Sequence, residues 1–129
     1  MNYHLNDEYP TVDSTVLAIR NHLRFLARNR TVTTYSKLIE DLSLPYSTRM
    51  GNDRKVLGNL LGQISTADVE AHRPPSSILV VKKSSMKPSF GFFDLMRTLN
   101  PHLTIETPDD EDLIFGRTLA ETFTYWSNH

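Results

Sequence analysis

Lys55, Asn59 and Gln63 recur at four-residue steps, with Arg54 beside the first and Thr66 continuing the row. That spacing puts side chains on one face of a helix. Basic and amide side chains so arranged are the types that read base edges in the major groove, and Arg54 and Lys55 also suit phosphate. An ordinary solvated helix face has the same composition. Gly58 and Gly62 flank the row. A glycine inside a helix costs about 1 kcal/mol, so two of them imply the close approach of another backbone. Lys82, Lys83 and Lys87 make a second basic group, suited to hold a phosphate backbone from a loop.

Other chemistry is poorly provided for. Asp109, Asp110, Glu111 and Asp112 are consecutive and point in different directions from a helix start, which suits the helix dipole better than a metal ion. The histidines His4, His22, His72, His102 and His129 lack metal-ligand spacing and sit in no catalytic motif. His22 reads as a half-buried structural residue. Phosphate-loop and dinucleotide fingerprints are absent. With no cysteine, thiol nucleophiles, the usual structural zinc sites and iron–sulfur clusters are excluded. No constellation for a hydrolase or nuclease is found, and no cofactor or metal is expected.

The elements that must position these residues follow from periodicity. Val12, Val16, Ile19, Leu23 and Leu26 form one face of a helix over 11–29. Arg20, Arg24 and Arg28 form a second stripe on it, able to meet phosphates, although the simpler reading is a solvated face. Thr31 to Tyr35 is a short β-prone run, and Thr33 or Thr34 can cap a helix over 36–42. Leu44-Pro45 ends it. Asn52 is a candidate cap for a helix over 52–65, with Asp53 in its first turn. Ser76 to Lys83 reads as a buried strand with a basic end, and 84–89 as a loop. Phe90, Phe92 and Phe93 return to the core to anchor that loop, base stacking being the alternative. A short helix over 94–99 and a short strand over 102–106 follow. Thr107-Pro108 and the acidic run then start a final helix. Its stripe of Phe115, Leu119, Phe123 and Trp126 completes the core or, alternatively, makes a dimer or partner surface.

This order is that of a winged helix: two helices make a helix-turn-helix and a hairpin forms the wing. Thr33-Thr34-Tyr35 with Leu38, Val56-Leu57-Gly58 with Leu60-Leu61, Val80-Val81 and Gly91-Phe92 also resemble a known family. That family is the DNA-binding domain of alkylguanine-DNA alkyltransferases and alkyltransferase-like proteins, and the resemblance covers about residues 31–95. It implies a winged-helix fold and DNA binding, with Tyr35 handling the target nucleotide's phosphate. The family's base-stack arginine corresponds to Lys55, a point charge that cannot stack like a guanidinium. Its reactive cysteine corresponds to Ser77 and the adjoining histidine to Ile78. A serine with no adjacent base is not an activated nucleophile, so alkyl transfer is excluded. The chain is also similar to small uncharacterised bacterial proteins that share its LG-x-IS, RP and GFF segments.

Charge and length agree with a small domain that has a basic working surface. The 129 residues suit one domain without disulfide or metal. Net charge is −1, but residues 43–90 hold seven basic and three acidic residues, whereas 91–129 hold two and seven. No run reaches the roughly 20 apolar residues of a membrane span, and no leader stands out, so a cytoplasmic, non-membrane protein is expected.

The expected fold is α+β and mainly helical, with a winged helix-turn-helix core over 11–100. An arm over 1–10 precedes it, and a 101–129 extension packs on the same domain. The expected function is non-enzymatic binding of double-stranded DNA through Tyr35, Arg54, Lys55, Asn59 and Gln63, with Gly58 and Gly62 as close-approach glycines. Lys82, Lys83 and Lys87 contribute from a basic wing over 82–90. The alternative is a protein–protein interaction module, an adaptor or inhibitor using its acidic carboxyl-terminal segment. A homodimer is possible under either reading.

Overall fold

The computed structural model describes residues 12–129; the expected 1–10 arm lies outside them. The chain is mainly helical. Helix α1 (Val12–Arg28) leads to strand β1 (Thr33–Thr34), helix α2 (Tyr35–Leu42) and helix α3 (Gly51–Glu70). A 3-10 turn (Ser76–Leu79), strand β2 (Val80–Val81), helix α4 (Phe90–Leu99) and helix α5 (Pro108–Ser127) complete it. One core joins Ile19, Leu23 and Ala27 of α1 to Leu57, Leu60, Leu61 and Ile64 of α3, Phe92, Phe93 and Met96 of α4, and Trp126 of α5.

Local chemistry explains several helix ends. The Thr34 hydroxyl accepts the Lys37 amide at 3.1 Å and caps α2. Thr107 accepts the Asp110 amide while the Asp110 carboxylate accepts the Thr107 amide, both at 3.1 Å, with Pro108 in the first turn. Asn52 does not cap α3. It stands inside the first turn, because the helix begins one residue earlier, behind Met50. Asp53 is turned back instead, its carboxylate accepting the Ser47 amide at 3.0 Å.

Helix α3 also runs past the expected end near residue 65. Ser65 and Asp68 read as polar, yet both are buried because the following turn satisfies them. Ser65 Oγ accepts the Ser77 amide at 3.1 Å and bonds the Ser77 hydroxyl. Asp68 accepts the Ser76 amide at 2.9 Å and Arg73 Nε at 3.0 Å. These bonds account for the 3-10 turn where a strand was expected over 76–79. The amides of Ser76 and Ser77 are taken by α3 side chains, which leaves Val80 and Val81 to pair.

The strands pair in parallel, Thr33 with Val80 and Thr34 with Val81. Among the described residues there is no antiparallel hairpin in the wing position. Residues 82–89 form a turn closed by Lys82 N to Lys87 O at 2.8 Å and Met86 N to Lys82 O at 2.7 Å. Helix α4 starts at Phe90, earlier than expected, so the aromatic return is its first turn. Phe92 and Phe93 are buried as anchors; Phe90 is exposed. The segment 102–106 is not a strand. Ile105 is held by Arg97, whose Nε and Nη2 donate to its carbonyl at 2.9 and 2.6 Å.

On α5 the inward row is Ile114, Thr118, Thr122 and Trp126. Phe115, Leu119 and Phe123, one residue round the helix, are half-buried against the core's flank. Threonine is tolerated inside because the Thr122 hydroxyl donates to the Thr118 carbonyl at 2.7 Å.

Candidate nucleic-acid interface

A groove runs along the exposed side of α3. It consists of two depressions, of about 650 and 470 Å³, which share Tyr35, Lys55, Gly58 and Ser89. Burial of Leu57, Leu60, Leu61 and Ile64 fixes which side of α3 faces out. At about 1.5–3 kcal/mol for each buried side chain, that burial outweighs the roughly 1 kcal/mol cost of each mid-helix glycine. Lys55, Gly58, Asn59 and Gln63 are consequently exposed.

The first depression has a basic rim. Lys55 and Arg54 come from α3, and Lys82 and Lys83 from the turn after β2. Lys55, Lys82 and Lys83 make no ion pair among the described residues. Asp53 also lines this depression, but its carboxylate is engaged by the Ser47 amide. Arg54 folds back, donating from Nη1 to the Thr48 carbonyl, so it braces the loop before α3. The hydroxyls of Ser47, Thr48 and Ser84 add polar contacts that sequence reasoning missed. Their signal was confined to loop composition.

The second depression lies between α3 and α4. Phe92 and Leu95 of α4 wall it, Gly58 and Gly62 line it from α3, and Tyr35 and Asn59 bring polar atoms. Ser77 lines it too. Its hydroxyl bonds that of Ser65.

Three expectations change on this geometry. No described backbone approaches the glycines: a Cβ added at Gly58 or Gly62 meets nothing within 4 Å among the described residues. Lys87 does not reach the groove. Its Nζ pairs with the Asp112 carboxylate of α5 and ties the turn to that helix. Gln63 is exposed on α3 but lines neither depression. Phe115, Leu119, Phe123 and Trp126 lie outside the groove as well.

The acidic run has local employment. Asp110 is in the capping box, where the Glu106 and then the Thr107 amides hold its carboxyl below the usual carboxylate range. Among the described residues no group of three or more His, Asp or Glu is arranged to hold a metal ion. No described helix is long and apolar enough to cross a membrane. Comparison with protein-family models, curated proteins and solved structures returned no match.

Proposed function

We propose that this chain is a non-enzymatic DNA-binding protein that presents α3 to the major groove, with the 82–89 turn in the place of a wing. The observation that carries this reading is the groove itself. Unpaired Lys55, Lys82 and Lys83 stand on the rim of a channel whose α3 wall is opened by two glycines. Unpaired ammonium groups release counterions from a phosphate backbone. An asparagine on the same helix face can take a bidentate pair with adenine. The glycines leave room for a nucleic-acid backbone, since no described residue occupies the space above them. Helix α2, a loop over 43–50 and α3 follow in the order of a helix-turn-helix, and Tyr35 and Ser77 both line the groove.

Fluorescence anisotropy of labelled duplex and single-stranded DNA across a salt series tests this. Duplex affinity should fall steeply with salt. Replacing Lys55, Lys82 and Lys83 by alanine should flatten the log–log slope by roughly 0.9 per lysine lost. Lys87→Ala, which breaks a pair away from the groove, should leave the slope unchanged. Absence of duplex binding at low salt would overturn the reading. The protein-interaction alternative would then take its place, with exposed Met86 and Leu113, neighbours in sequence of the Lys87–Asp112 pair, as its first residues to test.

A further inference from the structure

Arg20, Arg24 and Arg28 follow one another at four-residue steps on α1, and none of them lines the α3 groove. Trp126 of α5 lies beneath two of them. The guanidinium carbons of Arg24 and Arg28 are 4.5 and 5.3 Å from its ring centre. Tyr125 meets that ring edge-on at 4.9 Å and stacks on His129 at 3.9 Å. Arg73, past the end of α3, adds a fourth positive charge that Arg24 feels.

Negative charge is scarce there. Asp68 is the carboxylate that acts on Arg24, and its two oxygens are already committed, one to Arg73 Nε and one to the Ser76 amide. Arg20, Arg24 and Arg28 make no ion pair among the described residues. The Nε atoms of Arg20 and Arg24 are buried without an acceptor, and Arg20 Nη2 reaches just the side chain of Asn21, at 3.3 Å. Burial first, then repulsion from Arg20 and Arg73, lowers the Arg24 pKa from its ordinary value. Like charges at four-residue spacing weaken a helix, and donors withdrawn from water without acceptors are costly. The row is therefore under-neutralised.

A phosphate group supplies what is missing. It brings the missing negative charge and acceptor oxygens for the terminal Nη groups, the buried Nε atoms being out of its reach, and guanidinium forks match its geometry. The tryptophan face holds guanidinium groups by cation–π attraction and leaves their edges available to donate. We propose that the Arg20–Arg24–Arg28 row, backed by Trp126, is a phosphate-binding site separate from the α3 groove. It takes a free phosphate or the phosphodiester backbone of a nucleic acid. Asp68, which marks this end of α3, stands roughly 20 Å from Lys55 at the rise of an α-helix, so the site does not depend on the groove's function.

Trp126 is the chain's one tryptophan, so its intrinsic emission reports on this site without a label. The full chain is titrated with tripolyphosphate, with a short oligothymidylate, and with potassium acetate at matched ionic strength. A saturable emission change with tripolyphosphate alone supports a free-phosphate site. A change with the oligothymidylate as well supports backbone binding. Arg24→Gln with Arg28→Gln should weaken either response at least tenfold, whereas Lys55→Ala with Lys83→Ala should leave it intact. If circular dichroism shows the first pair unfolded, Arg28→Gln alone, at an exposed position, should still weaken binding severalfold. No emission change, the same change with acetate, undiminished binding by folded arginine variants, or equal loss in the lysine variant would each overturn the proposal.

Discussion

Replacing both Gly58 and Gly62 by alanine should make the protein more stable and a poorer DNA binder. Each glycine lies well inside α3, and a Cβ there meets nothing within 4 Å. Packing is therefore neither gained nor lost, and helix propensity alone decides the sign. Alanine is favoured over glycine by about 0.8–1.0 kcal/mol in a helix interior, so the pair should contribute about 1.5–2 kcal/mol. For a domain of this size that is a rise in Tm of about 5–9 °C. In urea the midpoint should rise with the m-value unchanged, since the surface exposed on unfolding barely alters. The same two methyl groups project into the groove, where the proposed function needs room for a nucleic-acid backbone. Duplex affinity should fall at least about tenfold, which is about 1.4 kcal/mol. Calorimetry or circular dichroism gives the first quantity and anisotropy at fixed salt the second. A lower Tm would refute the argument from open space. A higher Tm with undiminished DNA affinity would refute the reason assigned to the glycines.

Two further substitutions probe polar clasps that hold the fold. Asp68→Ala leaves the Ser76 amide and the partly buried Arg73 guanidinium without their acceptor, and should cost about 3–5 kcal/mol by urea denaturation. A loss within experimental error would remove this carboxylate as the clasp between α3 and the 3-10 turn. Asp110 sets a pH dependence of known sign. The amides of Glu106 and Thr107 lower its folded pKa, so the stability it contributes is present above its unfolded pKa. That stability is lost as pH falls through the folded one. Asp110→Asn, which keeps an acceptor oxygen, should melt below wild type at neutral pH, and the gap should close in acid. A constant gap would show that charge on this residue contributes nothing.

Sequence alone determined the features whose causes lie within about one helical turn. The α2 cap could be narrowed to Thr33 or Thr34, of which Thr34 serves, and Thr107 could be read as the α5 cap, because a cap bonds an amide three residues on; Pro108 marked the start of α5 for a similarly local reason. The inward faces of α1 and of the first half of α3 followed from apolar periodicity, so the exposure of Lys55, Asn59 and Gln63 was legible too. Tertiary structure decided the rest. Ser65 and Asp68 are polar letters that would end a helix, and they continue α3 inside the protein because Ser76, Ser77 and Arg73 come back to satisfy them. The same bonds turn residues 76–79 into a 3-10 helix and leave β2 to run parallel to β1. Pairing direction depends on segments far apart in the chain, and the composition of neither strand reveals it. Lys87 reads like Lys82 and Lys83 until α5 brings Asp112 to it. The arginine row of α1 reads as a solvated stripe until α5 brings Trp126 beneath it. In each of these cases the residue's role is set by a partner with no local signature, because burial and charge pairing are properties of the folded neighbourhood and not of the residue type.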